Sequence, residues 1–406
     1  MLLGEKPAAE QVRLARLADL TVKVGANVQP GQLVVINALV DNAPLAREIA
    51  RAAYRAGARR VEPRYFDPHF TRALVELGPE ESLGETTPWH LEMLRTLRRE
   101  QGCYIQVTGD AEPSLLSDLP GKRVGKAGPR AAREEWLRMV ADKAVNWTIV
   151  AAPTPAWASQ VFGKPDMPAL WDALEKAVRL DTPDPVAKWR RHLDKLNRLA
   201  VTLTERRFES LRYRGPGTDL VVGLLPSGRW TGGEQVTSFG VRHVDNMPTE
   251  EVFTSPDCRR ADGRVRSTRP LEIFSTVVED LELELRDGRI VEVRARTGAE
   301  VVRSEIAVDE NAGRLGELAL VDGSSAVGKL GLTFSNGLFD ENATSHIAYG
   351  AGFGFCVDDE SDRAAGLNQS AIHTDFMVGG ADVQIDGKEP GGGWVPILHD
   401  NKFRIA

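Results

Sequence analysis

Two histidines and several acids, set among Gly, Pro, Asn and Ser between Asn246 and Asp375, are the residues whose types and spacing could do chemistry. They fall in short islands. These are Asn246–Thr254 with Glu250 and Glu251, Arg314–Glu317, Asp340–His346 with Glu341, the glycine-rich run to Gly354, and His373–Asp375. Carboxylates and imidazoles gathered in this way form the mixed oxygen and nitrogen donor set that suits Zn, Co or Mn. The expectation is a metal-dependent hydrolase.

His373-Thr374-Asp375 carries the clearest local geometry. In a strand, residues i and i+2 face the same side, so the imidazole and the carboxylate would converge on one ion. The competing reading is a surface His and Asp on a strand edge. Glu341 stands five residues before His346, and a loop entering a helix could bring both to one site. Glu251 and Glu317 each border an apolar run, Val252-Phe253 and Leu318 to Val321. An unpaired charge there is costly unless a cation or hydrogen bonds satisfy it, with a helix cap or a salt bridge as the alternative. His69, His90, His192, His243 and His399 belong to no such grouping.

Two other chemistries are set aside. Gly323-Ser-Ser-Ala-Val-Gly328-Lys329 nearly spells a phosphate-binding loop, but Leu330 occupies the position of the metal-binding hydroxyl. The residues that follow read as strand, so no helix N-terminus is there to hold an anion. A Gly-x-Ser-x-Gly nucleophile turn is absent.

The elements that must position these residues fall into two halves. Apolar spacing predicts a helix from Glu10 to Val24, a strand over Gln32–Ala38, an Ala-rich helix from Ala43 to Ala56 with Gly57 as its cap, and a strand over Ala58–Tyr65. Strand, helix and strand in so short a span make a βαβ unit and imply a parallel sheet. The rhythm repeats through Trp89–Glu100, Cys103–Thr108, Ala131–Lys143 and Asn146–Ala152. Asp181-Thr-Pro-Asp-Pro185 is a turn-forming break, so residues 1–184 are expected to form an α/β domain. Residues 185–406 begin with a charged helix, Pro185–Arg207. They continue through short strands such as Leu220–Leu225, Leu271–Glu279 and Leu281–Arg286. Asp287-Gly288 before Ile290–Ala295 is a hairpin signal. The second half is expected to be an α+β domain rich in antiparallel strands and carrying the metal site.

At 406 residues the chain is long enough for two domains. Hydrophobic residues at 42% and charged residues at 27% describe a folded chain. A net charge of −7 argues against nucleic acid, whose phosphates call for a basic surface. The three cysteines are scattered and form no CxxC pair, which suits a reducing compartment and disfavours a thiolate metal site. Met1–Pro7 shows no apolar leader, and no run of about 18 apolar residues exists. A cytoplasmic protein without membrane or nucleic-acid partners is expected.

Taken together, the islands resemble the thermophilic metallo-aminopeptidase family, of aminopeptidase T and aminopeptidase S type. The resemblance spans nearly the whole chain. It rests on Val24-Gly-Ala-Asn-Val-Gln-Pro-Gly-Gln-Leu-Val34 and Ala52-Ala-Tyr-Arg-Ala-Gly-Ala58 in the first half. In the second half it rests on Gly228–Gly233, Asn246–Thr254, Gly316-Glu317, Glu341-Asn-Ala343 and His346-Ile-Ala348. It implies two divalent metal ions per chain, Zn, Co or Mn, held by Glu251, Glu317, His346, His373 and Asp375, with Glu341 lining the same site. It further implies a homodimer that releases N-terminal residues from peptides with a free N-terminus. A two-metal-activated water would be the nucleophile, with Glu317 first and Glu250 second as proton acceptors.

One position departs. Seven residues after the site histidine the family carries a tyrosine, whereas this chain carries Phe353, with Tyr349 the neighbouring phenol. A phenyl ring donates no hydrogen bond, and loss of such a donor typically removes about 2.7–4 kcal/mol of transition-state stabilisation. The alternative expectation is therefore a non-catalytic or weakly active metal- and peptide-binding member of the same family.

Overall fold

The Ala43–Arg55 helix, lying between the strands Leu33–Leu39 and Arg60–Phe66, shows how local sequence builds the first half. It ends in paired bonds, Gly57 N–H to the Tyr54 carbonyl and Ala58 N–H to the Ala53 carbonyl. That closure satisfies carbonyls the last turn would otherwise leave open. The computed structural model describes residues 8–405 apart from 110, 111, 113, 114, 117, 274 and 275. Met1–Pro7, read for a leader, and Phe274 and Ser275, inside the expected strand Leu271–Glu279, lie outside the described residues.

Contacts divide the chain into two units. The first comprises residues 1–190 and 234–249. Its parallel sheet runs in the order Asn246–Met247, Asn146–Ala151, Cys103–Thr108, Leu33–Leu39, Arg60–Phe66. Central strands of such a sheet are covered on both faces, and six of the seven residues of Leu33–Leu39 are buried. Helices Pro68–Leu77, Pro155–Phe162 and Met167–Ala177 join those expected. The expected boundary after residue 184 is a single cut, whereas the chain returns to this unit with 234–249. The two-residue strand that brings it back is too short to show a period in sequence.

The second unit comprises residues 191–233 and 250–406. An eight-stranded antiparallel sheet runs from Arg289–Arg294 through Glu282–Arg286, Pro256–Arg266, Thr218–Leu224, Ser210–Gly215, Gln384–Lys388 and Trp394–His399 to Lys402–Phe403. The Arg286–Arg289 hairpin closes with Asp287 at φ +49° and Gly288 at φ +75°. Both are left-handed, as a two-residue turn matching the strand twist requires. A second sheet has the order His373–Met377, His346–Gly350, Leu315–Leu320, Val252–Thr254, Thr231–Gly232, every pair antiparallel. The unit is thus α+β and rich in antiparallel strands. Gly328–Leu330 forms only a 3-10 turn, with no helix to complete a phosphate loop, and the following Gly331–Phe334 is irregular rather than strand.

Candidate metal centre

One face of the five-stranded sheet collects the donors, because alternate residues of a strand face opposite sides. Glu317, Ala348 and Asp375 form one row across three strands, and Ala319, His346 and Met377 form the next. His373 pairs with Gly350 on the same face. Glu251 directly precedes Val252–Thr254 and shares the face of Phe253, which lies opposite Ala319. The intervening residues Leu318, Leu320, Ile347, Tyr349 and Phe376 are fully buried in the hydrophobic core on the other side. The same alternation therefore anchors the sheet and presents the donors, and a one-residue slip would exchange the two sets. Small residues at 319, 348 and 350 leave the space that the longer donors fill.

A bulge between Leu315 and Glu317 sets the aim of Glu317. Such bulges redirect a side chain at the expense of one ladder position. Gly316 sits in it, where a Cβ would lie 2.3 Å from the Ala351 carbonyl oxygen and 2.4 Å from that of Gly350. Asn342 ties the Glu341 turn to the start of the Glu251 strand. Its Oδ1 accepts from Glu250 N–H at 2.7 Å, and its Nδ2 donates to the Leu338 carbonyl at 3.0 Å.

The donors converge in two overlapping groups, Glu251–Glu317–His346 and Glu317–His373–Asp375, each with its ligand atoms within 4.8 Å of one another. His346 Nε2 lies 3.0 Å from Glu251 Oε2 and 3.9 Å from Asp375 Oδ1. His373 Nε2 lies 3.0 Å from Glu317 Oε2 and 3.6 Å from Asp375 Oδ1. The other ring nitrogens face backbone: His373 Nδ1 is 2.8 Å from the Ala351 carbonyl and His346 Nδ1 is 3.4 Å from that of Thr344. A carbonyl can only accept, so each Nδ1 is turned to donate to backbone and each Nε2 is turned to the cluster, the orientation that histidine ligands take.

Burial gives this arrangement its electrostatic character. Glu251 and Glu317 are buried and Asp375 half-buried, and among the described residues their ion-pair partners are the two imidazoles alone. Burial, reinforced by the charges of Asp375 and Glu251, pushes Glu317 up to about 7, against the pull of His373. Burial and then Asp375 raise Glu341 well above the carboxylate range. Burial opposes charge on the imidazoles, yet both are held well above the ordinary histidine value, His346 chiefly by Glu251 and His373 chiefly by Asp375. Burial acts against ionised Asp375, but the two imidazoles hold its carboxyl below the usual range. Glu251 Oε2 and Asp375 Oδ1 are buried and, among the described residues, have only the imidazole nitrogens beside them, in poor hydrogen-bond geometry. Carboxylates left in this state are unfavourable unless cations neutralise them. The donor set, its crowded buried carboxylates and the inward-turned imidazoles all fit divalent cations.

Of the residues singled out in sequence, Glu251, Glu317, Glu341, His346, His373 and Asp375 come together. Glu250 does not. Consecutive residues of an extended chain point apart, so its Oε1 accepts from Ala326 N–H at 3.0 Å while Oε2 lies 3.5 Å from His192. Asp340 is likewise structural, accepting from the backbone N–H groups of Phe334 and Asn336. Tyr349 cannot replace the phenol missing at 353. It lies in a strand rather than a helix, on the core face, where its hydroxyl donates to Glu305. Phe353 itself packs 5.1 Å from the His373 ring, between centroids, and joins Phe253 and Phe355. Sequence reasoning missed Asn342, the small residues of the site face, and the carbonyls of Thr344 and Ala351. Their parts are played by space and by main chain, for which side-chain chemistry gives no signal.

Residues 10–403 match the family described as Thermophilic metalloprotease (M29). Aminopeptidase T of Thermus thermophilus is 38% identical over 402 residues, covering 97% of this chain and 98% of that one. Aminopeptidase 2 of Geobacillus stearothermophilus is 36% identical over 404 residues, covering 96% and 97%. The solved structure of wild-type AmpT from Thermus thermophilus superposes with a TM-score of 0.90 at 37% identity, covering 97% of this chain and all of that one.

Proposed function

We propose that this chain, which belongs to the thermophilic metalloprotease (M29) family and is a metallo-aminopeptidase, works through two divalent ions held by Glu251, Glu317, His346, His373 and Asp375. The observation that carries this reading is the pair of three-donor groups sharing Glu317, with both Nε2 atoms turned inward. Zn, Co and Mn suit such donors. Bound there, the ions would supply Lewis acidity and a water acidified towards neutrality.

The protein's own residues then divide the remaining work. Glu317 belongs to both groups and is committed as a ligand, which leaves Glu341 as the site carboxylate outside them. We assign to Glu341 the transfer of the water's proton to the leaving amine, in place of Glu317 or Glu250. Peptides with a free N-terminus are the substrate class. Phe353 lies against His373 and offers no donor to a developing oxyanion, which supports a second reading: a weakly active or purely peptide-binding member.

No helix among the described residues is long and apolar enough to cross a membrane, and the cysteines are free and buried. A cytoplasmic homodimer is part of the same proposal. The experiment is hydrolysis of a free-amine leucine amide beside its N-acetylated twin, on stripped protein and after adding Zn, Co or Mn. Metal-restored cleavage of the free amine alone, lost in Glu341→Gln with two ions retained, is expected. Silence on both substrates with two ions bound would favour the second reading.

A further inference from the structure

The strand that carries His373 and Asp375 is the outermost of its sheet, and among the described residues no strand pairs with its outer side next to the candidate centre. In an antiparallel pair, residues turn their N–H and C=O alternately to one neighbour and to the other. Ala351 N–H donates to the Ile372 carbonyl and Val378 N–H to that of Ser345. Residues 372, 374, 376 and 378 therefore face the His346–Gly350 strand, and 373, 375 and 377 face outward. The outward carbonyl of Met377 confirms the parity by accepting from Thr268 N–H at 2.8 Å. Among the described residues the outward N–H and C=O groups of His373 and Asp375 make no backbone hydrogen bond.

A cavity of about 450 Å³ runs along this edge, within the range of ligand sites. His373, Thr374, Asp375 and Met377 form one wall, and Leu271 and Ile273 contribute to the rest. Among the described residues the Leu271–Ile273 strand pairs only with Thr276–Val278 and, although it lies close to the outermost strand, forms no ladder with it. Open edges recruit extended chains, with main-chain bonds supplying affinity whatever the side chains.

We propose that the main chain of the peptide substrate adds to this edge as a further strand, pairing with the outward amide and carbonyl groups of His373 and Asp375. The inference rests on the site assignment made above and deepens it. Residues that supply donors through their side chains would hold the substrate through their backbone. Binding through main chain alone admits peptides of varied sequence.

The test uses the metal-loaded enzyme and a free-amine hexapeptide, unmodified or N-methylated once at its second, third, fourth or fifth peptide bond. The scissile first bond stays intact. Two open edge residues reach only the first bonds beyond it, and an extended chain presents alternate amides. One of the second and third positions should lose about three- to tenfold in kcat/KM, the worth of one net hydrogen bond, while the fourth and fifth change less than twofold. Replacing that amide by an ester, which removes the N–H without adding a methyl group, should give the same loss. Rates within twofold at every position would overturn edge pairing and leave the peptidase reading intact. Failure to cleave the unmodified hexapeptide would overturn the peptidase reading, full activity in His373→Ala would overturn the site assignment, and either would take this inference with it.

Discussion

Replacing the histidines one at a time should separate the two donor groups. His346 stands with Glu251 and Glu317, and His373 stands with Glu317 and Asp375. His346→Ala is expected to release one ion and His373→Ala the other, while Glu317→Gln weakens both because its carboxylate is shared. The magnitude follows from linkage, since an ion at about 100 times its Kd stabilises the folded state by about 2.7 kcal/mol. The unit that holds the site contains about two hundred residues, a size at which 1 kcal/mol moves Tm by about 2–4 °C. Each ion should therefore raise Tm by about 5–11 °C, and each histidine variant should lose about that much relative to the parent at the same free metal. Emission spectroscopy gives metal per chain, and a thermal scan gives the stability. The parent is expected to hold two ions and each histidine variant one. A histidine variant that keeps both ions, or loses both, would refute the division into two groups.

Three further outcomes follow from single contacts. Phe353→Tyr places a hydroxyl beside His373 and should raise kcat/KM by about 100- to 1,000-fold if an oxyanion donor is what the chain lacks; an unchanged rate with both ions bound would reject that account. Burial raises Glu305 above its ordinary 4.5, so its contribution to stability is present below pH 4.5 and is lost as pH rises through the raised value. Glu305→Gln still accepts from Tyr349 but cannot ionise, so urea titrations from pH 4 to 8 should show the variant gaining on the parent as pH rises, and a pH-independent difference would disprove the burial argument. Gly316→Ala forces a Cβ against two backbone carbonyls and should lower stability by about 1–3 kcal/mol; an unchanged urea midpoint would show that the bulge can move aside.

Periodicity made much of the fold readable. Ala43 to Ala56 followed by Gly57, and Gln32–Ala38 with its mostly apolar run, announce a parallel α/β unit, because a helix stripe and a doubly covered strand are local consequences of burial. Asp287-Gly288 announces its hairpin because few residue pairs adopt two left-handed conformations in succession. Asn246–Met247 was not readable as strand. Two residues carry no period, and their place beside Asn146–Ala151 depends on a chain segment nearly a hundred residues away.

The candidate centre divides along the same line. Donor types and the i, i+2 spacing of His373 and Asp375 are properties of the chain itself and point to that pair, whereas the full set of six is singled out by the resemblance of the islands to the family. Which of two adjacent acids faces the cluster is not such a property. Glu250 and Glu251 differ by one position, and only strand register turns Glu251 to His346 and Glu250 to Ala326 and His192. Register likewise sends Tyr349 into the core and makes Glu317 common to both groups, and among the described residues no strand pairs with the outer side of His373 and Asp375. Sequence thus determined the chemical inventory, whereas pairing between strands distant in the chain decided the direction of each group, because a one-residue shift reverses every face.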